Sequence, residues 1–277
     1  MDSRGDIQSI FGVRRALIGM IHLGALPGSP KAALGITALT DAAVAEARVL
    51  RDAGFHGLMI ENMHDRPYLA GEARPEVIAA MAAIGREVRR ETSLPLGVQV
   101  LAAANQAALA VAHAAGASFI RAEAFVFAHV ADEGVLEADA GALLRYRRAI
   151  GAEAVRVFAD IKKKHSSHAI TADVSLVETA KAAEFCLADG VIVTGLATGR
   201  ATDPDEVAAV TAAVRIPILV GSGLTAQNLS SYPSADAFIV GSSLKRDGLW
   251  LNALDPARVE AVAAAFEKLV RDVELKS

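Results

Sequence analysis

The chain has 277 residues, 53% of them hydrophobic, and a formal net charge of −4. This length exceeds most single β-sandwiches and suits one (β/α)8 barrel of roughly 250 residues. The acidic balance offers no basic surface for nucleic acid, the single cysteine, Cys186, excludes an intrachain disulfide and fits a reducing cytoplasm, and no charge-free apolar run is long enough to span a membrane.

Residues 1–12 carry acids and no long apolar region, so they read as a short N-terminal extension and not as a secretory signal. Eight short apolar runs then follow in order, at 16–23, 57–63, 95–101, 118–125, 155–162, 190–196, 217–223 and 236–243. Segments of helical period lie between and after them, at 40–53, 75–91, 104–115, 139–150, 174–187, 204–214, 225–231 and 256–273. Thr40-Asp41 and Asp203-Pro204 read as helix starts, and Gly54, Gly116 and Gly190 as the left-handed residues that end helices. Strand–helix pairs repeated eight times predict parallel strands with crossover helices. An open doubly wound sheet usually carries fewer repeats, and no G-x-G-x-x-G turn follows the first run. The prediction is therefore a single eight-stranded parallel (β/α)8 barrel over 1–277, with no linker that would mark a second domain.

In such a barrel the active site forms at the C-terminal ends of the strands. The first run ends on His22, and the Gly- and Pro-rich loop GALPGSP follows at once. The second ends on Glu61-Asn62, the third offers Gln99, and the fourth offers Arg121 and Glu123, two apart and so on one face. The fifth offers Asp160 and Lys162 with the same spacing, and the sixth offers Thr194. Polar groups on apolar strands are costly to bury without partners, so their convergence at one end reads as a site. His22, Glu61, Glu123, Asp160 and Lys162 are the predicted catalytic groups, and Asn62, Gln99, Arg121 and Thr194 the substrate-positioning ones. The structural alternatives are a core histidine at 22, an Arg121–Glu123 ion pair inside the barrel, and a solvated KKK run at 162–164. His64, Asp65, Arg66, His129 and His168 read as loop residues.

The chain ends with two similar turns, VGSGLT at 220–225 and VGSSLK at 240–245. Glycine lets backbone N–H groups approach an anion closely, and a helix N-terminus adds a favourable dipole. Phosphate sites recur after strands seven and eight of barrels. Gly195, Gly221, Ser222, Gly223, Gly241, Ser242 and Ser243 are thus the predicted phosphate-binding residues. The alternative is that Gly-Ser merely turns a strand into a helix.

Five segments, IGMIHLGALPGSP, GLMIENMHDRPY, DIKKKHSSH, PILVGSGLTAQNL and FIVGSSLKRDGLWLNALDPARV, resemble in order those of the BtpA/SgcQ family over roughly residues 10–270. The resemblance implies a TIM barrel of the ribulose-phosphate-binding type. Its cyanobacterial namesake is linked to photosystem I biogenesis as a membrane-associated factor. Other members look like accessory enzymes of sugar-utilisation operons, with labels such as nucleosidase or phosphoribosylanthranilate isomerase. Asp160-Ile161-Lys162 is also similar to the Asp-x-Lys of the orotidine monophosphate decarboxylase superfamily, but His165 stands where that pattern has a second Asp.

The leading expectation is an enzyme that acts on a phosphorylated sugar or sugar derivative by acid/base chemistry, as an isomerase, epimerase or lyase. A ribosyl-bond hydrolase would draw on the same carboxylates. A non-catalytic assembly factor would not need His22, Glu61, Asp160 and Lys162 together. No cofactor is predicted. A divalent ion at His22, Glu61 and a further carboxylate is the metal alternative, although no compact ligand motif is present. The expected partner is a small phosphorylated molecule, with no nucleic acid and no membrane span. The apolar stretch AFVFAHVADEGVLEAD would serve as a lid or as a homo-oligomer interface.

Overall fold

The computed structural model describes residues 5–163, 165–195 and 202–275. A short helix, α1 (Gly5–Phe11), precedes the first barrel strand, β1 (Ala16–His22). The chain then alternates through α2 (Ile36–Asp52), β2 (Gly57–Glu61), α3 (Pro75–Thr92), β3 (Leu96–Gln99), α4 (Asn105–Ala115) and β4 (Phe119–Ala122). A hairpin of β5 (His129–Ala131) and β6 (Gly134–Leu136) intervenes before α5 (Ala140–Ala149) and β7 (Arg156–Ile161). After it come β8 (Ser166–Ser167), α6 (Leu176–Phe185), β9 (Gly190–Val193), α7 (Pro204–Ala213), β10 (Ile218–Gly221), β11 (Ala237–Val240) and α8 (Pro256–Glu274).

Eight parallel strands close in the order β1-β11-β10-β9-β7-β4-β3-β2. Each predicted apolar run contains one barrel strand, and the last residue of the run at 190–196 lies outside the described residues. The residues facing the axis follow the strand period of two. Ile18, Met20, Met59, Phe119, Phe158, Ile192, Leu219 and Ile239 form one buried apolar cluster inside the barrel. A Cβ on Gly97 would lie 2.2 Å from the Phe119 ring, and one on Gly190 would lie 2.8 Å from Phe158, so both rings occupy space that only glycine leaves. The N-terminal extension does structural work here. Ile7 and Phe11 of α1 join the interior cluster and close its lower end, with Phe11 packed edge-on against Phe119 at 5.7 Å.

Beyond α1, where the sequence reading has only an extension, the helices depart from it in three places. α2 begins at Ile36 with Gly35 as its cap, four residues ahead of Thr40. The Thr40 hydroxyl instead donates back to the Ile36 carbonyl at 2.8 Å, the bond that serine and threonine make inside a helix. Gly190 ends no helix, because it sits in β9 beneath Phe158; Leu187 takes the left-handed conformation, with φ 67°. No α-helix forms at 225–231. The Asn228 side chain accepts from the Thr225 N–H at 2.8 Å and donates to the Gly223 carbonyl at 2.8 Å, leaving only a 3-10 turn at Leu229–Ser231. The other cap signals match: Asp203 accepts from the Asp205 N–H with Pro204 behind it, and Gly54 and Gly116 have φ 84° and 70°.

The stretch at 124–139 forms the β5–β6 hairpin, and β8 adds to β5 to make a small antiparallel sheet, β6-β5-β8. It ties the loop after β4 to the loop after β7.

Candidate functional site

The polar strand-end residues continue the inward phase of the apolar interior. His22 is in register with Glu61, and Glu61 with Gln99. His22 Nε2 stands 3.6 Å from a Glu61 oxygen, with side chains only 6% and 9% exposed. A Cβ on Gly241 would lie 3.3 Å from the same Nε2, so the last strand's turn abuts this pair. Thr194 and Gly195 are buried just past the end of β9.

Arg121 lies flat against Asp160. Its Nε is 3.0 Å from both carboxylate oxygens, and its terminal nitrogen is 3.0 Å from one of them. Burial, with the nearby Glu123 charge, holds the Asp160 carboxyl above the usual carboxylate range, against the pull of Arg121. Burial also opposes the charge on Arg121, but Asp160 and Glu61 outweigh it and hold the guanidinium protonated. Arg121 therefore pairs with Asp160 and not with its own neighbour Glu123.

Glu123 is held from several sides. Gln99 donates to it at 3.2 Å, the Ala103 N–H at 2.9 Å and Lys163 at 3.0 Å. Asn105, on the first turn of α4, bonds both backbone groups of Glu123. Asn62 is similarly engaged: it accepts from the Leu101 N–H at 2.7 Å and donates to Asp65, which in turn accepts from the Leu26 N–H. Asn62 and Asp65 thus tie together the loops after β1, β2 and β3, and Asp65 is a buried clamp, not a solvated loop residue.

Lys162 corrects the expected spacing. β7 ends at Ile161, and Lys162 adopts a left-handed φ of 47°, which breaks the alternation. Its Nζ meets the Thr171 carbonyl at 3.2 Å and forms no pair with Asp160 among the described residues. Lys163, which reads as part of a solvated run, is the cation that reaches Glu123. Ala103, Ala124 and Ser222 are likewise left-handed non-glycine residues just past β3, β4 and β10, with φ 56°, 47° and 93°. Such strain clusters where surrounding structure imposes it, often at functional sites.

His129 is not a surface residue. It is 4% exposed, and its Nε2 has no hydrogen-bond partner among the described residues. It lines a small recess with Asp160, Lys162, Lys163 and His168, whose ring lies 5.4 Å away. Burial, with Lys163 beside it, pushes its pKa down to about 4, so the ring is neutral at pH 7. The signal in the sequence was faint: a histidine in an otherwise apolar stretch.

The two Gly-Ser turns lie side by side, because β10 and β11 are neighbours. The Ser243 hydroxyl bridges them by donating to the Leu224 carbonyl at 2.6 Å. The N–H groups of Gly223, Ser242 and Ser243 make no hydrogen bond within the described residues, and the Ser222 hydroxyl is buried without a partner. A Cβ on Gly221 would lie 3.7 Å from the Arg121 guanidinium, which joins the turns to the Arg121–Asp160 pair. No helix of eight or more residues starts at either turn, so any anion site here draws on the turns' own N–H groups and not on a helix dipole. Among the described residues, no group of three or more His, Cys, Asp or Glu side chains is placed to hold a metal ion.

A closed parallel barrel with a polar C-terminal mouth defines this chain as a TIM-barrel protein. It belongs to the BtpA family, whose model matches residues 13–268. It is 47% identical over 265 residues to an uncharacterised mitochondrial protein of Caenorhabditis elegans, covering 94% of this chain and 96% of that one. It is 33% identical over 274 residues to the photosystem I biogenesis protein BtpA of Synechocystis, covering 98% and 95%. Among solved structures it resembles (S)-3-O-geranylgeranylglyceryl phosphate synthase from Thermoplasma acidophilum in complex with sn-glycerol-1-phosphate, with TM-score 0.59, 13% identity and 97% and 99% coverage. Orotidine 5'-monophosphate decarboxylase from Methanocaldococcus jannaschii matches with TM-score 0.59, 12% identity and 91% and 99% coverage. Among the described residues, no helix is long and apolar enough to cross a membrane.

Proposed function

We propose that this protein is an enzyme that binds a phosphorylated sugar or sugar derivative at the barrel mouth and moves a proton next to its carbonyl, as an isomerase, epimerase or lyase does. The observation that carries the reading is the adjacency of three things: free N–H groups on the twin Gly-Ser turns, the Arg121–Asp160 pair, and the His22–Glu61 pair. Two of the structural neighbours are named for work on a glycerol phosphate and on a nucleoside monophosphate, which share a phosphate handle.

In this reading the turns hold the phosphate, and its binding energy places the reacting carbon at the mouth. Glu61 takes the proton and His22 returns it. Arg121, held flat by Asp160, faces the developing enolate oxygen. Glu123, saturated by its partners, and Asp160, committed to Arg121, are positioning groups. Lys162, turned toward Thr171, is left out of the proton path.

The test is a thermal-shift panel of triose, pentose and hexose phosphates against the matching free sugars. A ligand at 100 times its Kd adds about 2.7 kcal/mol. A rise with a sugar phosphate, absent with the free sugar and absent in Gly221→Asp, is the expected result. Equal shifts with free sugars, or an unchanged shift in Gly221→Asp, would remove the phosphate cup.

A further inference from the structure

Above the His22 side of the mouth stands the chain's single tryptophan, Trp250. The Arg66 guanidinium carbon lies 4.7 Å over the centre of its ring. The His64 ring meets it at 4.8 Å and 62°, and the His22 ring at 6.4 Å and 87°. Arg66 and His64 also line a cavity of about 300 Å³, together with Lys31 and the aliphatic Ala33, Leu34 and Leu251. Burial lowers the His64 pKa, with Arg66 and Lys245 adding to the effect, so its imidazole is neutral at pH 7.

The lining of this cavity is part cationic, from Lys31 and Arg66, and part aliphatic, from Ala33, Leu34 and Leu251. Leu34 and Leu251 are 55% and 56% exposed there, beside two cations. A bare phosphate would use Lys31 and Arg66 but desolvate against the leucines. A saturated chain would use the leucines but cover a guanidinium without return. A flat ring satisfies both, since its electron-rich face stacks on a guanidinium and its other face packs on aliphatic carbon. The volume is at the lower end of small-molecule pockets, enough for one ring system.

We propose that this cavity is the subsite for a flat unsaturated ring, heteroaryl or aryl, carried on the phosphorylated sugar. The proposal rests on reading the mouth as a sugar-phosphate site and adds the class of substituent. Trp250 touches Arg66 of the cavity and His22 of the mouth, so the subsite adjoins the His22–Glu61 pair across one side chain.

Trp250 is the only tryptophan; it touches Arg66 and His64 of the cavity and His22 of the mouth, so its emission reports both, and the cavity-wall variants at Leu34 and Leu251 separate them. The 277-residue chain would be titrated with AMP, UMP, adenosine, uridine and benzoate, and separately with ribose 5-phosphate and inorganic phosphate. Saturable change in Trp250 emission with at least one ring-bearing probe is expected, with the apparent affinity at least tenfold weaker in Leu251→Asp and in Leu34→Asp. Both sites are exposed, so both variants should still melt cooperatively. No emission change with any ring-bearing probe, or a change that both variants retain, would overturn the proposal. If ribose 5-phosphate raises the melting temperature while the rings do nothing, the ring subsite fails and the mouth reading stands. If rings respond while neither ribose 5-phosphate nor inorganic phosphate stabilises the protein, the ring subsite stands and the mouth reading fails.

Discussion

The lower and upper halves of the barrel interior are built on the same strands in the same phase, yet they obey opposite rules. Below, Met59, Phe119, Phe158 and Ile192 bury carbon against carbon, and α1 seals the end with Ile7 and Phe11. One step higher, at His22, Glu61, Gln99, Arg121 and Asp160, the same inward positions bury charges and amides. A buried ion pair is weak support for stability, since hydrophobic replacement is often neutral or better. The lower half therefore explains why the barrel holds, and the polar upper half, weak as a source of stability, is where the proposed function is placed.

The sharpest break of this contrast is Phe119→Ala, which empties the lower layer and should cost about 3–5 kcal/mol in urea denaturation. In the upper layer, Arg121→Met strands the buried Asp160 charge and should cost about 3 kcal/mol, while Arg121→Met with Asp160→Leu should recover most of it. Sugar-phosphate binding should not return with that stability. If it did, the pair would be structural and the contrast would fail.

A smaller effect separates the two lysines. Lys163→Met removes the partner of buried Glu123 and should cost about 1.5–3 kcal/mol. Lys162→Met loses one half-buried hydrogen bond to a neutral carbonyl and should cost less, about 0.5–1.5 kcal/mol, and an equal loss in both would restore the spacing argument for Lys162. The smallest effect is in pH. His129 has its folded pKa pushed down to about 4, below the 6.5 of an unfolded chain. Its contribution is full above about pH 6.5 and is lost as pH falls toward 4, because the unfolded state takes up the proton first. The melting temperature of His129→Gln should thus fall less between pH 7 and pH 5 than that of the unsubstituted protein. An identical fall would show that His129 does not titrate as its burial demands.

The fold was legible because a buried parallel strand is a short apolar run, and eight runs with intervening helical periods admit few closures. The inward phase of the mouth was legible for the same reason: residues two apart on a strand share a face, so His22, Glu61, Gln99, Arg121 and Asp160 fell into place. What stayed hidden lies just past the strand ends, where the period of two stops applying. A left-handed backbone at Lys162 lets Lys163 reach Glu123, and no composition signal marks it. His129 and Trp250 reach the site from loops that fold over the mouth, and their partners are distant in sequence. The helix expected at 225–231 was lost to the Asn228 side chain, which competes for the turn's own backbone groups.

The central claim is that the polar half of the barrel moves a proton beside the carbonyl of a sugar phosphate. The most direct measurement is deuterium wash-in. Triose, pentose and hexose phosphates would be incubated in D2O with the protein and with Glu61→Gln, and followed by proton NMR. Loss of the signal next to the carbonyl of one sugar phosphate, with the unsubstituted protein only, is the predicted result. Full retention of every such signal, or equal loss with Glu61→Gln, would contradict the account.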